Sequence, residues 1–232
     1  MTTLAVASLA RTTTYWREPP RVQYGTVMSN TYDTRVSAIP LRGGNVALDF
    51  VNTAGWHASD APSEWLESYA DLAMWADRAG LHTPDEARQL VAAAERSPRE
   101  AERTRQRATA FREALYRVCR AFVQATLAEE ADVEVVRAAY VDALAHSRFA
   151  QTADGFALGW DQAAPPLDAP LWRISIAATA FLQSGELVRT RECAGAPCGW
   201  LFVDRSKNHS RRWCSSEECG NRERVKRHLA KL

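Results

Sequence analysis

A mainly α-helical chain, carrying one small β-hairpin and a short C-terminal zinc module that ends in a helix, is what this sequence of 232 residues predicts. Three observations carry that prediction. Apolar residues recur at spacings of three and four from about residue 63 to residue 183, the period of helices with one buried face. Two helix starts are marked by a capping residue followed by proline, at Thr83-Pro84 and Ser97-Pro98. Four of the five cysteines fall within 27 residues near the C-terminus, interleaved with arginines.

Taken in order, residues 1–39 are rich in Thr, Ser and Pro without sustained periodicity, and predict a disordered arm. A helical sensor or dimerisation domain is expected over 40–185. Within it Trp65, Leu66, Tyr69, Leu72 and Trp75 define a first helix from about Ser63, with Gly80 placed to end it. Thr83-Pro84 with Asp85 and Glu86 opens a second helix, and Ser97-Pro98 with Glu100 a long third. The apolar stripe of the third is Phe111, Leu115, Val118, Cys119, Phe122 and Val123, on which Cys119 reads as a small buried hydrophobe. Residues 131–146 fit a fourth helix with Val133, Val136, Tyr140 and Leu144 inward. The stretch "RFAQTADGFALGW" alternates about Asp154-Gly155, a preferred hairpin turn. A last apolar helix runs from Leu171 to about Gln183, and Ser184-Gly185 stops it.

Composition narrows the function. At 46% apolar residues the chain can bury one core and carry a small accessory module. The net charge of +1 divides unevenly: residues 186–232 hold 11 Lys/Arg against 6 Asp/Glu, leaving 18 against 22 for the rest. No run of 18 apolar residues occurs, so no membrane partner is expected, and no basic segment precedes the N-terminal apolar patch. The expectation is a cytoplasmic protein. No Ser, Cys or carboxylate of the helical part has a recognisable base partner, which argues against an enzyme. In "NTAGWH", Asn52, Thr53, Trp56 and His57 mix hydrogen-bonding and aromatic groups as the pocket for a small-molecule effector would. The alternative is that Asn52 and Thr53 cap or brace neighbouring helices.

Cys193 and Cys198 enclose four residues, Cys214 and Cys219 enclose four more, and 15 residues separate the pairs. Two close pairs across a short loop suit one structural Zn2+ held tetrahedrally by four thiolates. A redox thiol pair and unrelated cysteines are the competing readings. A 47-residue tail whose large apolar residues are Trp200, Leu201, Phe202, Val203 and Trp213 has too little core to hold itself together. Zinc would supply about 10 kcal/mol. The charge reversal near Ser184-Gly185 predicts separable modules, with metal removal unfolding only the tail.

Around those cysteines lie Arg205, Lys207, Asn208, Arg211, Arg212, Arg222, Arg224, Lys226 and Arg227, dense enough to neutralise the phosphates of double-stranded DNA. Arg211 or Arg212, in the loop between the pairs, is the candidate base reader. A helix is expected from Ser215 or Ser216, acidic in its first turn and basic beyond. A solvated basic helix with no ligand is the plain alternative.

The stretch "DRSKNHSRRWC" followed by "CGNR" closely resembles the CGNR zinc finger, and the upstream "LDFVNT" of residues 48–53 looks like the opening motif of the ABATE domain that precedes this finger in bacterial proteins. The resemblance covers about residues 40–232. It implies that Cys193, Cys198, Cys214 and Cys219 bind the zinc, and that the chain is a stress-response transcription regulator associated with the nucleoid when bound. A homodimer is expected too, because one small module makes few DNA contacts. A zinc-knuckle adaptor docking an acidic partner and a zinc-thiolate redox sensor remain as rival functions.

Overall fold

The computed structural model describes residues 34–152, 155–160 and 165–231. Among them the chain forms eight α-helices: α1 (Thr34–Ala38), α2 (Val46–Val51), α3 (Tyr69–Arg78), α4 (Pro84–Arg96), α5 (Pro98–Val123), α6 (Glu130–Ala145), α7 (Ala169–Leu182) and α8 (Asn221–Leu229). Three antiparallel two-stranded pairs accompany them: β1 (Ala54–Gly55) with β2 (Ser63–Glu64), β3 (Arg148–Thr152) with β4 (Gly155–Gly159), and β5 (Thr190–Glu192) with β6 (Leu201–Val203).

The short helix α2 lies at the centre. Asn45 caps it by accepting from the Ala47 amide, and Leu48, Phe50 and Val51 are fully buried. α5 and α7 pack on it, with Phe50 5.1 Å from Trp75 and 6.2 Å from Phe111 between ring centroids. The α4 start follows the sequence: Thr83 and Glu86 form a reciprocal capping box, with proline in the first turn. Ser97 starts α5 but makes no side-chain capping bond, because it also closes α4, its amide bonded to the Ala93 and Ala94 carbonyls.

Several expectations need correction. Thr34–Ala38 is helical inside the stretch assigned to a disordered arm, because Val36 and Ile39 enter the core and Arg78 binds both their carbonyls, at 2.7 and 2.5 Å. The remainder of that arm, residues 1–33, lies outside the described residues. The helix expected from Ser63 begins at Tyr69, with Ser68 and Asp71 as its capping box. Residues 63–64 are instead drawn into a strand, Glu64 gripped by both ends of the Arg112 fork at 2.7 Å. Phe122 points outward, 47% exposed.

α6 is rotated from the orientation predicted, keeping Val136 buried and Tyr140 half-buried as expected but turning two of the four predicted residues out. Asp132, Val136 and Ala143 are buried, with Ala139 packed against the core, whereas Val133 and Leu144 are exposed. Alanine at the contact lets α7 approach closely enough for Ser175 to bond the Ala139 carbonyl, and Arg117 neutralises Asp132 through two bonds of 2.8 and 2.6 Å. The hairpin forms, but Gly155 is the first residue of β4, opposite Thr152, and Asp154 lies outside the described residues.

Candidate metal centre and basic surface

β6 is the seam between the helices and the metal site. Its alternation sends Leu201 and Val203 into the helical core and Trp200 and Phe202 into the cluster of the four cysteines. The tail therefore does not own its five large apolar residues, as the sequence had implied. It shares them.

The ladder of β5 and β6 runs on into the site, where the Cys193 amide donates to the Trp200 carbonyl at 2.8 Å. The Cys198 amide closes a tight turn onto Gly195, and the Ala194 amide reaches Arg212 in the other half of the knuckle at 2.9 Å. The second pair sits at a helix start: Ser215 accepts from the Glu218 amide, and Cys219 follows in a wide π-type turn, Ser216–Gly220, that leads directly into α8. Gly195 is needed here, since a β-carbon on it would lie 3.0 Å from that of Cys219.

All four thiols are buried and lie within 4.8 Å of one another. Cys198 and Cys214 are 3.7 Å apart, Cys214 and Cys219 3.6 Å, between sulfurs. A tetrahedron with zinc–sulfur bonds of about 2.3 Å has edges of about 3.8 Å. The donor set is that of one structural Zn2+, closed to substrate. Four thiolates around Zn2+ leave a net charge of −2, and donors are placed against it: the Cys214 amide points at Cys193 Sγ, 3.3 Å, and Arg222 Nη2 at Cys219 Sγ, 3.1 Å.

Arg222 also joins the site to the helical body, its guanidinium 4.6 Å from the centroid of Trp56. Of the residues singled out as an effector pocket, Asn52 and Trp56 meet the tail, while Thr53 and His57 bond within the helical body. Asn52, fully buried, donates Nδ2–H to the Leu201 carbonyl at 2.8 Å and accepts from the Leu201 amide at 3.0 Å, continuing the β6 ladder with a side chain. Thr53 Oγ1 donates to the Phe50 carbonyl and accepts from Arg112. His57 stacks on Tyr116 at 4.0 Å and meets Glu113 at 3.2 Å. Trp200 Nε1 donates to the Ala54 carbonyl, 2.8 Å, so Asn52, Ala54 and Trp56 together brace the zinc knuckle. Burial alone would raise Glu64 beneath it, but the Arg112 fork holds its carboxyl below the usual range.

The basic residues divide. Arg211 faces inward: its fork donates to the carbonyls of Trp213 at 3.0 Å and Cys214 at 2.6 Å, with its guanidinium 4.2 Å from the Phe202 ring centroid. It clamps the loop before Cys214 through Nε and Nη2. Arg205 pairs with Glu186, and Lys226 bonds the Ala196 carbonyl at 3.1 Å. Lys207, Asn208, Arg212, Arg224 and Arg227 are exposed. Arg212 lies over Trp213, 5.3 Å from its centroid, while Arg224 reaches back to the Ser216 carbonyl in the turn before α8 and Arg227 to the Glu223 carbonyl one turn earlier. Arg42, which sequence reading missed, reaches from before α2 to Glu218 at 2.5 Å. It carries no motif by which it could have been found.

A helical body that holds a closed four-thiolate knuckle defines a zinc-finger protein. The chain belongs to the ABATE family, described as "Putative stress-induced transcription regulator", whose profile matches residues 44–185, and it carries a CGNR zinc finger over residues 189–231. A search of curated proteins finds no match to it. No helix among the described residues is long and apolar enough to cross a membrane.

Proposed function

We propose that this chain is a DNA-binding transcription regulator, acting at the nucleoid, whose zinc knuckle fixes a basic loop and a basic helix against the duplex. The observation that supports it is the outward set Lys207, Asn208, Arg212, Arg224 and Arg227, carried on segments anchored at Cys214 and Cys219. Cations used to hold the fold, Arg211 and Arg222, are spent inward, whereas these five lie where a phosphate backbone has access. Arg212 takes the base-reading role, since Arg211 is committed to backbone carbonyls. The segment 52–57 serves as a strut between finger and helices, the bracing alternative to an effector pocket.

Titration of duplex DNA at several salt concentrations tests this. Each of Lys207, Arg224 and Arg227, changed to alanine, should lower the logarithmic salt slope by about one. Arg212→Ala should cost about 1–3 kcal/mol on a preferred sequence and change the slope little. Zinc content must stay at that of the parent chain. Absence of binding at low salt, on preferred and random duplexes alike, would overturn DNA recognition in favour of an adaptor for an acidic protein.

A further inference from the structure

The outer side of α6 carries exposed aliphatic side chains beside the Glu134–Arg137 ion pair. Val133, Val141 and Leu144, 46%, 49% and 40% exposed, share that side with Arg137 at its middle. The chain then enters the β3–β4 hairpin, where Phe149 and Phe156 stand 77% and 73% exposed. Register puts both on one face: Phe149 opposes Leu158, Phe156 opposes Gln151, and residues two apart on a strand point the same way. Nothing in the described chain covers either surface.

We infer that this face is the contact between two copies of the chain, with their α6 helices antiparallel. Three properties favour a second copy as the occupant. The first is charge: Glu130 and Glu134 lie on the outer side at the N-terminal end of α6, Arg148 follows its C-terminal end, and all three are exposed. A two-fold axis midway between Arg137 and Val141 brings Glu130 of each copy near Arg148 of the other. The second is self-complementarity, since the same axis sets the aliphatic stem of Arg137 against Val141 and places Val133 beside Leu144. The third is size. A 16-residue helix is about 24 Å long and about 10 Å wide, and five-residue strands extend it by about 17 Å. That footprint is about 400 Å2 per copy, about half of what a standard interface buries on each side and the scale of a weak, reversible dimer.

The inference is independent of DNA binding, and its test contains no DNA. Sedimentation of the full zinc-loaded chain over a concentration series should show a species of twice the 25.8 kDa chain mass. Val141→Glu and Leu144→Glu replace exposed side chains, so the helical circular dichroism should persist while the dimer dissociates at least about tenfold more readily. Glu130→Arg and Arg148→Glu should each weaken the dimer, and the two together should restore it. A chain that stays monomeric at every concentration, or a dimer indifferent to Val141→Glu and Leu144→Glu, would overturn the inference. Restoration failing in the double charge exchange would overturn the antiparallel arrangement.

Discussion

Arg222 shows how much one side chain can be asked to do. Its guanidinium faces a zinc thiolate at one edge and the Trp56 ring across its plane, so it offsets the negative site while fastening α8 to the segment after α2. Outer partners of this kind change metal affinity by about 10–100-fold. Arg222→Ala should accordingly speed zinc transfer to a chromophoric chelator by about that factor, and a transfer rate equal to the parent's would remove Arg222 from the metal site. His82 makes a different point. Burial, helped by the nearby Arg173 charge, pushes its imidazole down to about 4, and Glu86 only partly opposes this. The native state therefore holds His82 neutral while the unfolded chain protonates it near pH 6.5, so stability is lost as pH falls from about 6.5 to about 4. The loss attributable to this residue is about 3 kcal/mol. In His82→Leu that acid-side component should vanish, and denaturant midpoints compared at pH 7 and pH 4.5 would reveal it. Parallel midpoints in the two proteins would dismiss the effect.

At the level of elements, β6 is decisive because both of its faces are buried. A strand packed on two sides tolerates no slip, since moving it by one residue would drive Trp200 and Phe202 into the helical core and Leu201 and Val203 against the cysteines. Gly199 sets the entry to this strand, with φ +68° and the Ala58 amide nitrogen only 2.6 Å from where a β-carbon would be. Gly199→Ala should cost about 2 kcal/mol or more, through left-handed backbone strain and the clash together. Thermal unfolding of the zinc-loaded variant measures it, and an unchanged midpoint would mean that the segment 57–58 yields freely. α6 teaches the converse lesson. Its sequence is rich in Ala and Val on every side, so no periodic signal chose the inner face, and Val136 went in while Val133 and Leu144 turned outward.

For the molecule as a whole, the two family regions are joined through shared core and shared hydrogen bonds. Asn52 alone satisfies both backbone groups of Leu201 in a dry setting. Removing a partner from buried polar groups costs about 1–3 kcal/mol for each, and Asn52→Ala should destabilise the protein by about 3 kcal/mol. Metal removal should be felt beyond the tail: once the knuckle loosens, β6 no longer seals the face of α2, and the helical unfolding midpoint should drop by several degrees. Circular dichroism during chelation checks this. A helical transition that stays at its original temperature would restore the view of two separable modules.

Much of this was legible in the residues. The paired cysteines specified a tetrahedral metal site, because ligand spacing is a local property that survives any arrangement of the rest of the chain. The helical class, the α4 start at Thr83-Pro84, the stop at Gly80 and a helix start at Ser215 or Ser216 were legible for the same reason: each depends on neighbours within about four residues. What the tertiary structure alone decided is partnership over long separations. That Asn52 would mimic a strand for Leu201, that Arg211 would turn inward while Arg212 stayed out, and that Val133 and Leu144 would face solvent depend on which surfaces meet. A polar or apolar side chain announces that it needs a partner. Only the packed chain names which one, because the free energy of burial follows the surfaces brought together and not the order of residues along the backbone.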